Sequence, residues 1–124
     1  MVTKKEKLRI DKKLVRNTSL ITGVILIILA YTIGIIPVLN VLVIAIITAY
    51  TMYKNDFDVL ESAANGLLIG LFSSVIEILG ILITAVTNNQ ITTTAIIILL
   101  TLISLGILSG TVFGVVTTYT KNNN

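Results

Sequence analysis

The sequence predicts an all-α protein: a four-helix transmembrane bundle made of two helical hairpins, with both termini cytoplasmic. Three observations carry this. Of 124 residues, 55% are hydrophobic and 12% charged, against roughly 25% charged in soluble domains. The charges gather in two short segments and leave long uncharged runs, which a chain of this size has no soluble core large enough to hide. All nine Lys and Arg residues fall on one side of a four-span reading, the asymmetry that marks cytoplasmic loops.

This composition excludes a soluble globular enzyme, a nucleic-acid-binding domain and a disordered tail. Cysteine and histidine are absent. Thiolate and imidazole are therefore missing as nucleophiles, bases and metal ligands, disulfides are excluded, and no catalytic residue, cofactor or metal site is expected.

Residues 1–18 form a basic N-terminal segment holding Lys4, Lys5, Lys7, Arg9, Lys12, Lys13 and Arg16. A basic head before an apolar run resembles a secretory signal. The run that follows exceeds an h-region of about 7–15 residues and ends without a small-residue cleavage site, so it reads as a retained span. The membrane domain then occupies residues 19–120. No charge appears between Asn17 and Tyr53, a stretch that would be about 55 Å long as one helix, against a hydrocarbon core of roughly 30 Å. The alternative, a three-span reading with residues 17–53 as one tilted helix, needs a mismatch far beyond what tilt normally absorbs. Pro37 biases Ile36 away from the helical region and follows Gly34, which divides the run into spans at residues 19–36 and 38–53.

The charged stretch from Lys54 to Glu61 is a water-facing loop, and Ser62 is the expected cap of a third span at residues 62–86. Asp56, Asp58 and Glu61 in that loop lack the ligand spacing and glycine of an EF-hand and read as solvated. The polar cluster Thr87-Asn88-Asn89-Gln90 is a turn. A fourth span covers residues 94–119, and residues 121–124, Lys121 and three asparagines, are a frayed polar tail. With the basic residues inside, the Pro37 and Asn88-Asn89 turns face outward.

At about 100° per residue, Ser62, Ala63, Gly66, Gly70, Ser73, Glu77, Gly80 and Thr84 share one face of the third helix. Leu68, Leu71, Phe72, Val75, Leu79, Leu82 and Val86 lie opposite. Small residues let backbones approach where no hydrophobic force drives helices together, so the small face is the expected bundle interior. Gly106, Gly110 and Gly114 repeat the device on the fourth helix. They serve either packing within the chain or a homo-oligomer seam.

Glu77 is the only charged residue inside a span, near mid-depth. An ionised carboxylate there is costly, and such residues are functional, paired or protonated. Depth counted from the helix ends places the Tyr31 and Ser104 hydroxyls at a similar level, as candidate partners. The basic head is a topological anchor, with contact to anionic lipid as its further reading.

The runs Pro37-Val38-Leu39-Asn40, Thr48-Ala49-Tyr50 and Ala63-Ala64-Asn65-Gly66-Leu67-Leu68-Ile69-Gly70 resemble a family of small archaeal four-span membrane proteins of unknown function. The resemblance implies a multi-pass integral protein and transfers no catalytic residue. Small multidrug transporters carry their intramembrane glutamate in the first span, and rotor-ring proton carriers use a two-span unit, so neither pattern matches. The sequence thus reads as a non-enzymatic multi-pass protein of the cell membrane, surrounded by the lipid bilayer and self-associating through glycine-lined faces. The alternative is a proton-coupled transporter or channel subunit with Glu77 as carrier.

Overall fold

The first helix begins at Lys12 rather than at residue 19, because Asp11 caps it: its Oδ1 accepts a hydrogen bond from the Leu14 amide at 3.0 Å. That removes one unsatisfied donor from the helix start, and the basic residues Lys12, Lys13 and Arg16 become its first turns. The computed structural model describes residues 9–87 and 93–123. Lys4, Lys5, Lys7 and Leu8, the side chain of Val86, the Asn88-Asn89 turn and Asn124 lie outside the described residues.

Four helices follow in order: α1 (Lys12–Thr32), α2 (Pro37–Lys54), α3 (Val59–Thr87) and α4 (Thr93–Asn122). All four are long and apolar enough to cross a membrane. α1 ends at Thr32, where the chain passes through Gly34 at φ +117°, a conformation that residues with a Cβ rarely adopt. Ile36 is extended, and Pro37 opens α2, where its missing N–H is no loss and its fixed φ suits the helix.

α3 starts at Val59, three residues ahead of the expected Ser62 cap. Asp58 and Glu61 form a capping box instead: the Glu61 amide donates to Asp58 Oδ1 at 2.7 Å and the Asp58 amide to Glu61 Oε1 at 3.1 Å. Two orphan donors are satisfied reciprocally. Asp58→Ala is expected to destabilise the protein by about 1 kcal/mol, read as a lower midpoint of thermal unfolding in detergent. Ser62 lies inside the helix, and its hydroxyl meets that of Thr118 on α4.

The C-terminal tail is likewise more ordered than expected. α4 continues to Asn122, and Lys121 Nζ donates to the carbonyls of Met52, Tyr53 and Asn55 at 3.3, 3.2 and 2.7 Å. A cation on the last carbonyls of α2 satisfies groups that the helix leaves open and complements its dipole.

α3 and α4 are the most closely packed pair; α1 lies along α3 and α2 along α4, while α1 and α2 touch sparsely. Glycines set the α3–α4 distance. A methyl placed on Gly66 would strike the Gly110 carbonyl, one on Gly70 the Gly106 carbonyl, and one on Gly114 would lie 2.6 Å from the Ser62 carbonyl oxygen. Gly23 and Gly80 instead receive the side chains of Ile76 and Ile27 between α1 and α3.

The bundle is polar inside and apolar outside. Thr22, Thr48, Ser62, Asn65, Ser73, Ser74, Glu77 and Thr118 are fully buried, while Ile21, Val24, Ile46, Leu79, Ile83, Ile97, Leu100 and Leu108 are exposed. Large apolar surfaces of this extent are not left to water by soluble proteins.

Candidate functional site

α3 carries Ser73 and Glu77 one turn apart on its inward face, and both are fully buried. Asn40, four residues into α2 and 5% exposed, reaches across and donates from Nδ2 to Glu77 Oε1 at 2.5 Å. Pro37 fixes the start of α2 and so sets the depth at which Asn40 meets α3. Glu77 Oε2 is buried and has no hydrogen-bond partner among the described residues. The hydroxyls of Ser19 on α1, Thr48 on α2 and Ser73 on α3 are buried and unpartnered in the same sense. The interior thus offers polar groups from three helices that are unpartnered among the described residues.

The expected partners of Glu77 are elsewhere. The Tyr31 hydroxyl donates to the Gly80 carbonyl at 2.6 Å and bonds the Thr84 hydroxyl at 2.7 Å, so it joins α1 to α3 above Glu77. Ser104 is exposed and donates to the Leu100 carbonyl of its own helix at 3.1 Å, the back-bonding usual for a lone helical serine. Depth counting gave the level of each hydroxyl and not its rotation about the helix axis. The sequence signal for Asn40 is its polarity alone: an amide inside a span is itself a costly group that needs a partner.

The glycines Gly66, Gly70, Gly106, Gly110 and Gly114 lie between α3 and α4 of one chain. The face that would have formed a homo-oligomer seam on α4 is therefore already covered by α3. Gly80 faces α1.

A second polar cluster closes the basic end. Asn65 Oδ1 accepts from the Asp11 amide at 3.0 Å, and its Nδ2 donates to the carbonyls of Arg9 and Glu61 at 2.9 and 2.8 Å. The Arg9 amide donates to Glu61 Oε2 at 3.1 Å, and its guanidinium lies 4.6 Å from the centre of the Phe57 ring and donates to the Asp56 carbonyl. Every polar group of Asn65 is used, which makes it a clasp holding the entry to α1 on α3. Comparison with family models, curated proteins and solved structures finds no match to this chain.

Proposed function

We propose that the protein is a non-enzymatic, multi-pass component of the cell membrane that carries protons through its bundle at Glu77, as a proton-coupled transporter or channel subunit. The observation that carries this reading is the orphaned Glu77 Oε2. A carboxyl serving only to pin helices together would use both oxygens, since a buried polar atom left unpaired costs about 1–3 kcal/mol. Unsatisfied buried groups of this kind call for an explanation, and an ionisable residue inside the membrane is a functional site by default. Ser73, one turn nearer the basic end, and Thr48 on α2 add unpartnered hydroxyls on the inward side of the bundle.

Both termini are assigned to the cytoplasm by the positions of the nine basic residues. Self-association would require a face other than that of Gly106, Gly110 and Gly114.

The test is proton flux into vesicles that contain the purified chain and an internal pH dye, driven by a potassium diffusion potential. The wild type is expected to dissipate the potential by proton entry. Glu77→Gln is expected to reduce flux to that of empty vesicles while unfolding as the wild type does, because the amide oxygen still accepts from Asn40. Wild-type flux equal to that of empty vesicles would overturn the channel reading, and undiminished flux in Glu77→Gln would overturn Glu77 as the carrier. The second outcome would leave Glu77 as a structural pin with Asn40.

A further inference from the structure

We propose that the groove between α1 and α3 at the basic end of the bundle binds one anionic phospholipid. The groove has a cavity volume of about 320 Å³, within the range of ligand sites. Its apolar wall is built by Leu20, Leu68, Phe72, Val75 and Ile76. At its mouth stand Lys12 and Arg16, one turn apart on the same face of α1. Both are exposed, and neither forms an ion pair among the described residues. Among the described residues Arg16 donates only Nε, to Asn17 at 3.2 Å, which leaves the outer guanidinium nitrogens for a bidentate contact with a phosphate.

Ser19 is the second observation. It lines the groove at 1% exposure, and its hydroxyl has no partner among the described residues. It lies about 4.5 Å further along α1 than Arg16. The side chains thus fit a phospholipid: two cations at the level of the phosphate, a hydroxyl at the level of the glycerol oxygens, and an apolar wall of about 12 Å along α3, which starts at Leu68 near Val15 and ends at Ile76 against Gly23, four residues beyond Ser19. A general basic anchor explains the cations. It does not explain an unpartnered hydroxyl beneath them at the head of an apolar groove.

The chain contains no tryptophan, so Phe72→Trp places the single tryptophan in the groove, where it can be excited apart from the tyrosines. Leu108→Trp, on the exposed face of α4, is the control. Both are reconstituted in phosphatidylcholine vesicles in which either phosphatidylglycerol or a matching share of phosphatidylcholine carries bromine, a short-range quencher. The Phe72→Trp reporter is expected to prefer phosphatidylglycerol about 25-fold, roughly fivefold for each cation, while the Leu108→Trp reporter shows no preference. Lys12→Gln with Arg16→Gln should abolish the preference, and Ser19→Ala should weaken it severalfold.

Equal quenching at both reporters, or a preference that survives the double glutamine variant, overturns the site. Relief of quenching by inorganic phosphate would show a bare anion site and overturn the lipid. Loss of quenching as protein density in the vesicle rises would show a second copy covering the groove, with the same consequence.

Discussion

Gly70→Ala is expected to destabilise the bundle by about 3 kcal/mol, the upper end of the cost of overpacking. The new methyl would strike the Gly106 carbonyl oxygen, with the carbonyl carbon at 2.7 Å and the Ile107 nitrogen at 3.3 Å. All three are backbone atoms of α4, so no side chain can turn aside and the two helices must separate. Separation also loosens the neighbouring Gly66–Gly110 approach, since both contacts lie on the same pair of helices. Alanine recovers up to about 1 kcal/mol of helix propensity over glycine, and the clash outweighs it.

Gly80→Ala is the matched comparison. Its methyl would meet the Ile27 side chain, with Cδ1 at 2.6 Å and Cγ1 at 2.9 Å, and a side chain can turn aside where backbone cannot. Propensity and crowding then nearly cancel, and the change is expected to stay within about 1 kcal/mol of wild type. Unfolding in mixed detergent, followed by helical circular dichroism, checks both. A Gly70→Ala protein as stable as Gly80→Ala would show that α3 and α4 are not in backbone contact.

The second large effect is expected at the Asn40–Glu77 pair. Asn40→Leu leaves both oxygens of a buried carboxyl without a donor, and Glu77→Leu strands a buried amide; each is expected to cost about 1–3 kcal/mol. The double variant Asn40→Leu/Glu77→Leu replaces both polar groups with apolar ones of similar size and should lie closer to wild type than either single variant. The coupling energy is expected between about 0.6 and 1.7 kcal/mol, the range such cycles give for hydrogen bonds between membrane helices. The same unfolding assay on the four proteins of the cycle gives it directly. Additive single effects would mean that the two side chains do not interact. The cycle reports on structure alone, so it is independent of the flux test at Glu77.

The four spans were legible because lipid imposes a coarse rule: charge ends a span, and an uncharged run of excessive length must fold back. The Pro37 break follows from the same rule. Helix starts were less legible. The charges of Asp11, Asp58 and Glu61 marked those segments as aqueous, and the same carboxylates also cap α1 and α3. The spacing Asp58-x-x-Glu61 was available as a capping signal, but Ser62, at the edge of the apolar run, stood in its place. No local pattern marks Lys121 as anchored, because its acceptors lie far away in sequence, at the end of α2.

At the candidate site, periodicity placed Glu77 on a face shared with Ser73 and glycines, and both Glu77 and Ser73 are fully buried. It could not name the partner. Which hydroxyl or amide faces Glu77 depends on the rotation and neighbours of each helix, and those are set by the α3–α4 glycine contact and the attachment of α2 to α4. Asn40 enters through that tertiary arrangement, whereas Tyr31 and Ser104 matched only in depth.

The sparse contact between α1 and α2 bears on how the protein is made. The ribosome delivers these two helices first, yet each finds its main neighbour in the second hairpin, α1 on α3 and α2 on α4. Until that hairpin arrives, Thr18, Ser19 and Thr22 on α1 and Asn40, Thr48 and Thr51 on α2 have no bundle interior to occupy. An unfinished chain therefore shows lipid the polar surface that the finished one hides, and only synthesis of α4, whose Lys121 fastens onto the end of α2, completes its concealment.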